Sequence, residues 1–125
     1  MSRARKYTVV AASDGSQVGT HYSAYMSGYI ESIQYVKVDY ADGVDFTITA
    51  EATGEALWTG TDVNAATVVR PRAATHSTAG VAALYAGSGT AVNARIALGR
   101  DRVKIVLAQA GVSKTGTFVI TVADS

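Results

Sequence analysis

The sequence predicts an all-β protein: a single antiparallel β-sandwich or jelly-roll-like domain of about eight short strands, with a closed barrel as the alternative. Three observations lead to this prediction. Apolar and polar residues alternate with a period of two in several segments, and turn sequences rich in Gly and Asp separate those segments. Helical periodicity is nearly absent, because only residues 79–86 could form a helical turn or two, and a loop or short strand fits them equally well.

The alternation is clearest in segments 45–51, 102–107 and 117–122. Side chains point to opposite faces at successive strand positions, so every second residue shares a face. The core should therefore receive the apolar set of each segment. These inward residues are Phe46, Ile48 and Ala50; Val103, Ile105 and Leu107; and Phe118, Ile120 and Val122.

Weaker alternation predicts further strands over 6–11, 29–40, 56–59, 65–70 and 91–98. The longest, 29–40, carries apolar residues on both faces. A strand of that kind either lies in the middle of a sandwich or contains a β-bulge, and the sequence leaves both open. Pro71, the only proline, should end the strand before it because it lacks a backbone donor.

Two turn sequences predict how these strands connect. Asp42-Gly43 readily takes the positive φ angles of a tight hairpin, which would pair 29–40 with 44–51 in antiparallel fashion. The longer segment 111–116 is predicted to be a hairpin loop between the last two strands. Both predictions place neighbouring strands of the chain side by side in one sheet.

We expect a basic N-terminal arm over residues 1–6, followed by one β-sandwich domain over 7–125. Arg3, Arg5 and Lys6 supply the charge of this arm, which is either a solvated end or a contact with an acidic neighbour. The apolar run after it is too short for a signal peptide or a membrane span, so no membrane partner is expected. The net charge of +1 does not favour nucleic acid, and we expect no sequence-specific nucleic-acid partner.

The sequence carries no recognisable catalytic or ligand-binding motif. It has no cysteine, and His21 and His76 lack a second ligand at metal-binding spacing. The aspartates at 39, 42 and 45 do not follow the alternate positions of a calcium loop, and no phosphate-binding glycine motif occurs. We therefore predict a protein that is not an enzyme, with no catalytic, cofactor-binding or metal-binding residue and no cofactor.

Tyrosines are concentrated in one short stretch, at positions 22, 25, 29, 35 and 40. Their rings could pack in the core with the hydroxyls at its rim, lie in a protein interface, or form a platform for a ligand. Lys37 is the only basic residue among them, which disfavours nucleic acid. The residues predicted to lie in a protein interface are Arg3, Arg5, Lys6, Tyr22, Tyr25 and Trp58.

From Tyr29 onward, the order of segments resembles that of a known class of proteins. Segment 29–37 runs into 42–54; Arg70-Pro71-Arg72 and His76 follow, and 102–106, the 111–116 loop and 117–122 complete the pattern. This order resembles small all-β structural proteins of tailed bacteriophages, encoded among head decoration and head–neck genes. The resemblance rests on the whole pattern and carries over no site residue.

The resemblance implies a virion structural protein that is made in the host cytoplasm. The leading interpretation is a capsid decoration or cement protein that stabilises contacts between capsid subunits. Its partners would be the major capsid protein or neck proteins, and it would form a homo-oligomer. The alternatives are a neck or tail component, and a β-sandwich module that binds carbohydrate or another ligand through the tyrosine-rich stretch.

Overall fold

The protein is described here by a computed structural model covering residues 3–124, which contain ten strands and no helix. The all-β sandwich-like class is therefore confirmed, and residues 79–86 lie in a loop. The strands are β1 (Ala4–Ala12), β2 (Gly19–Tyr22), β3 (Met26–Lys37), β4 (Val44–Ala50), β5 (Ala56–Val63), β6 (Thr67–Val69), β7 (Arg72–Ala74), β8 (Asn93–Asp101), β9 (Val103–Ala108) and β10 (Thr115–Ala123). No helix in residues 3–124 could cross a membrane.

Two antiparallel sheets make up the fold. The six-stranded sheet has the order β1-β10-β3-β8-β7, and β6 also pairs with β3. The four-stranded sheet has the order β2-β9-β4-β5. One cluster of buried apolar side chains lies between them and draws residues from both.

Strand β3 shows why the longest predicted strand is apolar on both faces. It is central, with β10 on one side and both β8 and β6 on the other. It is also irregular: Ser32 pairs with Thr121 and Ile30 with Val122, so Glu31 is an extra residue in β3. This shift allows both Ile30 and Ile33 to be fully buried despite their odd spacing.

The predicted hairpin at Asp42-Gly43 is wrong. Strand β3 belongs to the six-stranded sheet, whereas β4 pairs with β5 and β9 in the other. Gly43 does adopt a positive φ of 85°, so the turn chemistry is present, but the turn carries the chain across the core. The crossing places Tyr35 and Phe46 on facing sheets with ring centroids 5.3 Å apart, which buries both apolar faces together.

The loop over 111–116 is likewise not a hairpin, because β9 and β10 lie in different sheets. Both loops act as corners of the sandwich, and they touch: the backbone nitrogen of Ala41 donates to the oxygen of Ala110 at 3.0 Å. Strands β2 and β7 were not predicted, since four and three residues are too few to show an alternation.

The boundary predicted for the N-terminal arm is also wrong. Strand β1 begins at Ala4, and Ala4, Arg5 and Lys6 pair with residues 123, 122 and 121 of β10. The Arg5 guanidinium lies 3.0 Å from Oδ1 of Asp124 and donates to the oxygen of Ser27 at 3.1 Å. These residues therefore form part of the sheet, while residues 1 and 2 lie outside the described region.

The core confirms the predicted inward faces. All nine apolar residues assigned to the three clearest strands are buried. At the centre, the rings of Tyr35, Phe46 and Phe118 contact one another with centroids between 5.1 and 5.4 Å apart. Gly116 of β10 is needed nearby, because a Cβ there would collide with the ring of Tyr40.

Replacing Phe46, Ile105 or Phe118 by Ala should lower the free energy of unfolding by about 2–5 kcal/mol, since each change leaves a cavity between the sheets. Val10→Ala is the control, because that side chain is 63% exposed; it should cost less than about 0.5 kcal/mol. Urea denaturation followed by fluorescence measures both. Equal losses for core and control variants would contradict the assignment of faces.

Two core tyrosines differ in the hydrogen bonding of their hydroxyl groups. Tyr40 donates to the backbone oxygen of Ala11 at 2.5 Å, whereas Oη of Tyr35 has no hydrogen-bond partner within residues 3–124. Burial raises the pKa of both hydroxyls, and strongly for Tyr40. A raised pKa means that folding favours the neutral form, so stability is fully present below about pH 10 and falls as the pH rises beyond it.

The two tyrosines form a matched pair for substitution. Tyr40→Phe should lower the free energy of unfolding by about 1–3 kcal/mol because it leaves the Ala11 oxygen without its donor. Tyr35→Phe removes an unsatisfied hydroxyl and should leave stability unchanged or slightly higher. Each variant should also weaken the loss of stability above about pH 10. Denaturation at neutral and alkaline pH tests this, and a larger loss for Tyr35→Phe would contradict it.

Candidate functional site

One surface cluster forms where β2 ends and β9 begins. Arg102 lies just before β9, Glu51 follows β4, and Tyr22 and Tyr25 lie at and after the end of β2. The guanidinium contacts the Glu51 carboxylate with two bonds, 2.8 Å from Nε to Oε1 and 2.9 Å from Nη2 to Oε2. Its carbon lies 4.0 Å from the Tyr22 ring centroid and 5.3 Å from that of Tyr25.

A buried carboxylate positions Arg102. Asp101 is 5% exposed, and its Oδ1 accepts from the backbone nitrogens of Ala52 at 3.0 Å and Arg102 at 2.7 Å. The hydrogen bond with Arg102 lowers the pKa of Glu51, and the same bond raises the pKa of Arg102. Because the guanidinium is already engaged, the cluster presents two tyrosine rings in a fixed arrangement.

These two rings are well exposed, Tyr22 by 40% and Tyr25 by 57%. An exposed aromatic side chain with restricted rotation suits a protein contact, because little side-chain entropy is lost when a partner covers it. Tyr22 and Tyr25, both predicted from the sequence, are thus brought together. Arg102 and Glu51, which hold them, were not identified, because their pairing depends on two strand ends that are far apart in sequence.

The structure separates the other predicted interface residues from this cluster. Trp58 lies on β5, at the opposite edge of the four-stranded sheet from β2, and its half-buried ring packs on Phe46. Arg5 and Lys6 lie on β1 of the other sheet, and Arg3 is exposed just before it. The tyrosine-rich stretch does not form one platform either, because Tyr35 and Tyr40 are buried.

A second surface feature is the segment 75–92 between β7 and β8, which we call the extension. Backbone hydrogen bonds order it: Thr75 with Val92 at 2.7 Å, Ala83 with Thr75 at 2.8 Å, and Tyr85 with Thr90 at 3.0 Å. It contains no Asp, Glu, Lys or Arg. Three of its large apolar side chains are exposed: Val81 by 65%, Leu84 by 41% and Tyr85 by 75%.

The outer surface of the six-stranded sheet is the third feature. The ladder places Val10, Thr117 and Val36 in one row across β1, β10 and β3. The next outward row across β1, β10, β3 and β6 comprises Thr8, Val119, Gln34 and Val68. Neither row contains a charged residue. We call the valines of these rows, Val10, Val36, Val68 and Val119, the valine face.

No protein-family model and no curated protein matches the chain. A solved structure described as the crystal structure of FLHE is similar over 97% of this chain and 96% of that one, with 9% identity and a TM-score of 0.41. That likeness is too low to carry an argument about function. Residues 3–124 contain no pocket and no group of three or more His, Cys, Asp or Glu side chains that could hold a metal.

Glu51→Gln tests the ion pair through its pH dependence. The lowered pKa of Glu51 means that its contribution to stability is present above the ordinary value of about 4.3 and is lost as the pH falls below it. The melting temperature of Glu51→Gln should therefore lie below that of the wild type at neutral pH and approach it under acidic conditions. Exposed Glu55→Gln is the control, and a difference that stays constant with pH would contradict the pairing.

Proposed function

We propose that this chain is a structural protein of a tailed-bacteriophage particle, most simply a capsid decoration or cement protein that contacts neighbouring subunits. Two properties of the sequence support the proposal. The order of its segments resembles such proteins, and its charged fraction of 17% is below the usual value of about 25%. A weakly charged surface is suited to being covered by other proteins.

The observation that carries the proposal is the extension. A solvated loop is normally polar, whereas this one exposes Val81, Leu84 and Tyr85 and has no charged residue to offset them. It is also held by its own backbone hydrogen bonds, so a partner would not have to order it on binding. Ordered, apolar and exposed segments of this kind are typical of surfaces that bind protein.

A cement protein acts by adding buried surface across the seams between subunits. Each contact can be weak, because symmetry repeats it many times over one particle. In this proposal the extension supplies one contact and the rings of Tyr22 and Tyr25 supply another. The protein would be made in the host cytoplasm and end in the virion, next to the major capsid protein.

We also propose two alternative functions, and each predicts a different experimental result. A neck or tail component would use the same surfaces but occur in a small fixed number of copies per particle. A module that binds carbohydrate or another ligand would use the exposed rings of Tyr22 and Tyr25, and it would not need the extension. Copy number and the effect of changing the extension separate these possibilities from a decoration protein.

The proposal is tested on phage particles that lack the protein. Added wild-type protein should bind in a number comparable to that of the capsid subunits, counted by mass spectrometry, and should raise the temperature at which particles release DNA. Tyr85→Lys should bind in fewer copies, because a charge would be buried in an apolar contact. Val112→Lys, which changes a valine exposed by 55% in the turn before β10, is the control. Absence from native particles, with no binding to deficient ones, would contradict the proposal.

A further inference from the structure

We infer that Asp14, followed by Gly15, is a site of spontaneous covalent modification at which aspartate converts into isoaspartate. The chain contains a second Asp-Gly pair, Asp42 and Gly43, and Asn64 protects that pair from the same reaction. The inference goes beyond the proposed function and does not depend on it. Both pairs have the same sequence, so the difference between them must come from the folded structure.

The reaction is an attack of a backbone nitrogen on the carboxyl group of the preceding residue. The glycine nitrogen forms a bond to Cγ of the aspartate, and its proton leaves with the hydroxyl of the protonated carboxyl as water. The product is a succinimide ring, and glycine reacts readily because it has no Cβ to hinder the approach. Water then adds to one of the two ring carbonyl carbons and breaks its bond to nitrogen. Opening at Cγ restores aspartate, whereas opening at the backbone carbon gives isoaspartate, so no oxidant or other co-reactant is consumed.

At Asp42 and Gly43 both reacting groups are bound to other partners. The backbone nitrogen of Gly43 donates to Oδ1 of Asn64 at 2.6 Å. Nζ of Lys37 donates to Oδ1 of Asp42 at 2.7 Å, but the Asp42 side chain is 78% exposed and such an ion pair is weak. The bond to Asn64 is therefore the stronger restraint, because it must break before the nitrogen can turn toward Cγ.

At Asp14 and Gly15 the nitrogen is free and the carboxyl group is close to it. The Gly15 nitrogen donates no hydrogen bond within residues 3–124. Oδ1 of Asp14 accepts from the backbone nitrogens of Ser16 at 2.8 Å and Val18 at 3.2 Å. A carboxyl that reaches the nitrogen two residues ahead bends back along its own backbone, which brings Cγ beside the intervening nitrogen. The same donors stabilise the charge that develops on the carboxyl oxygen during attack.

The modified residue lies where the two sheets close. The turn containing Asp14 joins β1 to β2, and the backbone oxygen of Asp14 accepts from the nitrogens of Gln17 at 3.1 Å and Ser113 at 3.2 Å. In isoaspartate that oxygen belongs to a free carboxylate, and the backbone runs through the side chain with one additional methylene. Conversion therefore alters the contact between this turn and the loop before β10.

Peptide mapping of the aged protein tests the inference, because trypsin separates the two pairs. Asp14 falls in peptide 7–37 and Asp42 in peptide 38–72, since the bond between Arg70 and Pro71 resists trypsin. The folded protein is kept for several weeks in mildly acidic buffer and then digested. Isoaspartate is detected by enzymatic methylation and by a change in retention at unchanged mass. It should accumulate several times faster in peptide 7–37 than in peptide 38–72.

Three variants test the residues responsible. Gly15→Ala should remove most of the accumulation in peptide 7–37, and it should fold because no atom lies within 4 Å of a Cβ placed there. Asn64→Ala releases the Gly43 nitrogen and should raise accumulation in peptide 38–72 several-fold. Asn64→Asp keeps an oxygen acceptor and should resemble the wild type. The two tryptic peptides aged after digestion should react at similar rates, because the structure is lost.

The comparison within the wild type does not depend on any variant. Equal accumulation in both peptides of the folded protein, or faster accumulation in peptide 38–72, would overturn the inference. So would isolated peptides that keep the difference seen in the folded protein, since sequence alone would then explain it. An Asn64→Ala protein that is folded by circular dichroism and ages like the wild type would show that Asn64 does not protect Asp42.

Discussion

The contact between Tyr35, Phe46 and Phe118 is the constraint on which the rest of the fold depends. These rings come from both sheets and touch at centroid distances of 5.1 to 5.4 Å, so they fix how the sheets face each other. A core at this density leaves no room for additional atoms. Gly60 illustrates the point, because a Cβ there would lie 2.5 Å from the Phe46 ring. The corner at residues 42–43 has the same cause, because β3 and β4 can bury their apolar faces against each other only if they lie in opposite sheets.

This constraint explains what could be read from the sequence and what could not. The inward faces around Phe46, Ile105 and Phe118 were predicted correctly because alternation is a local property that a strand shows by itself. Sheet membership was predicted wrongly, because Asp42-Gly43 fits a tight hairpin and a corner equally well. The choice between them is made by burial across the core, which involves residues far apart in sequence.

For the candidate site, too, the sequence predicted some residues correctly and others wrongly. Tyr22 and Tyr25 were predicted as interface residues from the general enrichment of aromatic rings, and the structure brings them together on Arg102. Trp58 was chosen by the same reasoning but faces the core, because a residue type carries no information about which side of β5 it occupies. The extension was missed since its Gly-rich and Ala-rich sequence is typical of an irregular loop. Its order comes from backbone hydrogen bonds, which any sequence can make.

The edges of the two sheets are poorly suited to the addition of a strand from another chain. At one side β1 and β2 close together: Nε2 of His21 lies 2.8 Å from the oxygen of Ala12, and a Cβ on Gly19 would be 2.5 Å from that oxygen. At the other side β5 shifts register twice against β4, and such bulges make an edge a poor template for another strand. With backbone pairing disfavoured at both places, side-chain surfaces are left to make the contacts. The extension and the rings of Tyr22 and Tyr25 are exposed side-chain surfaces of this kind.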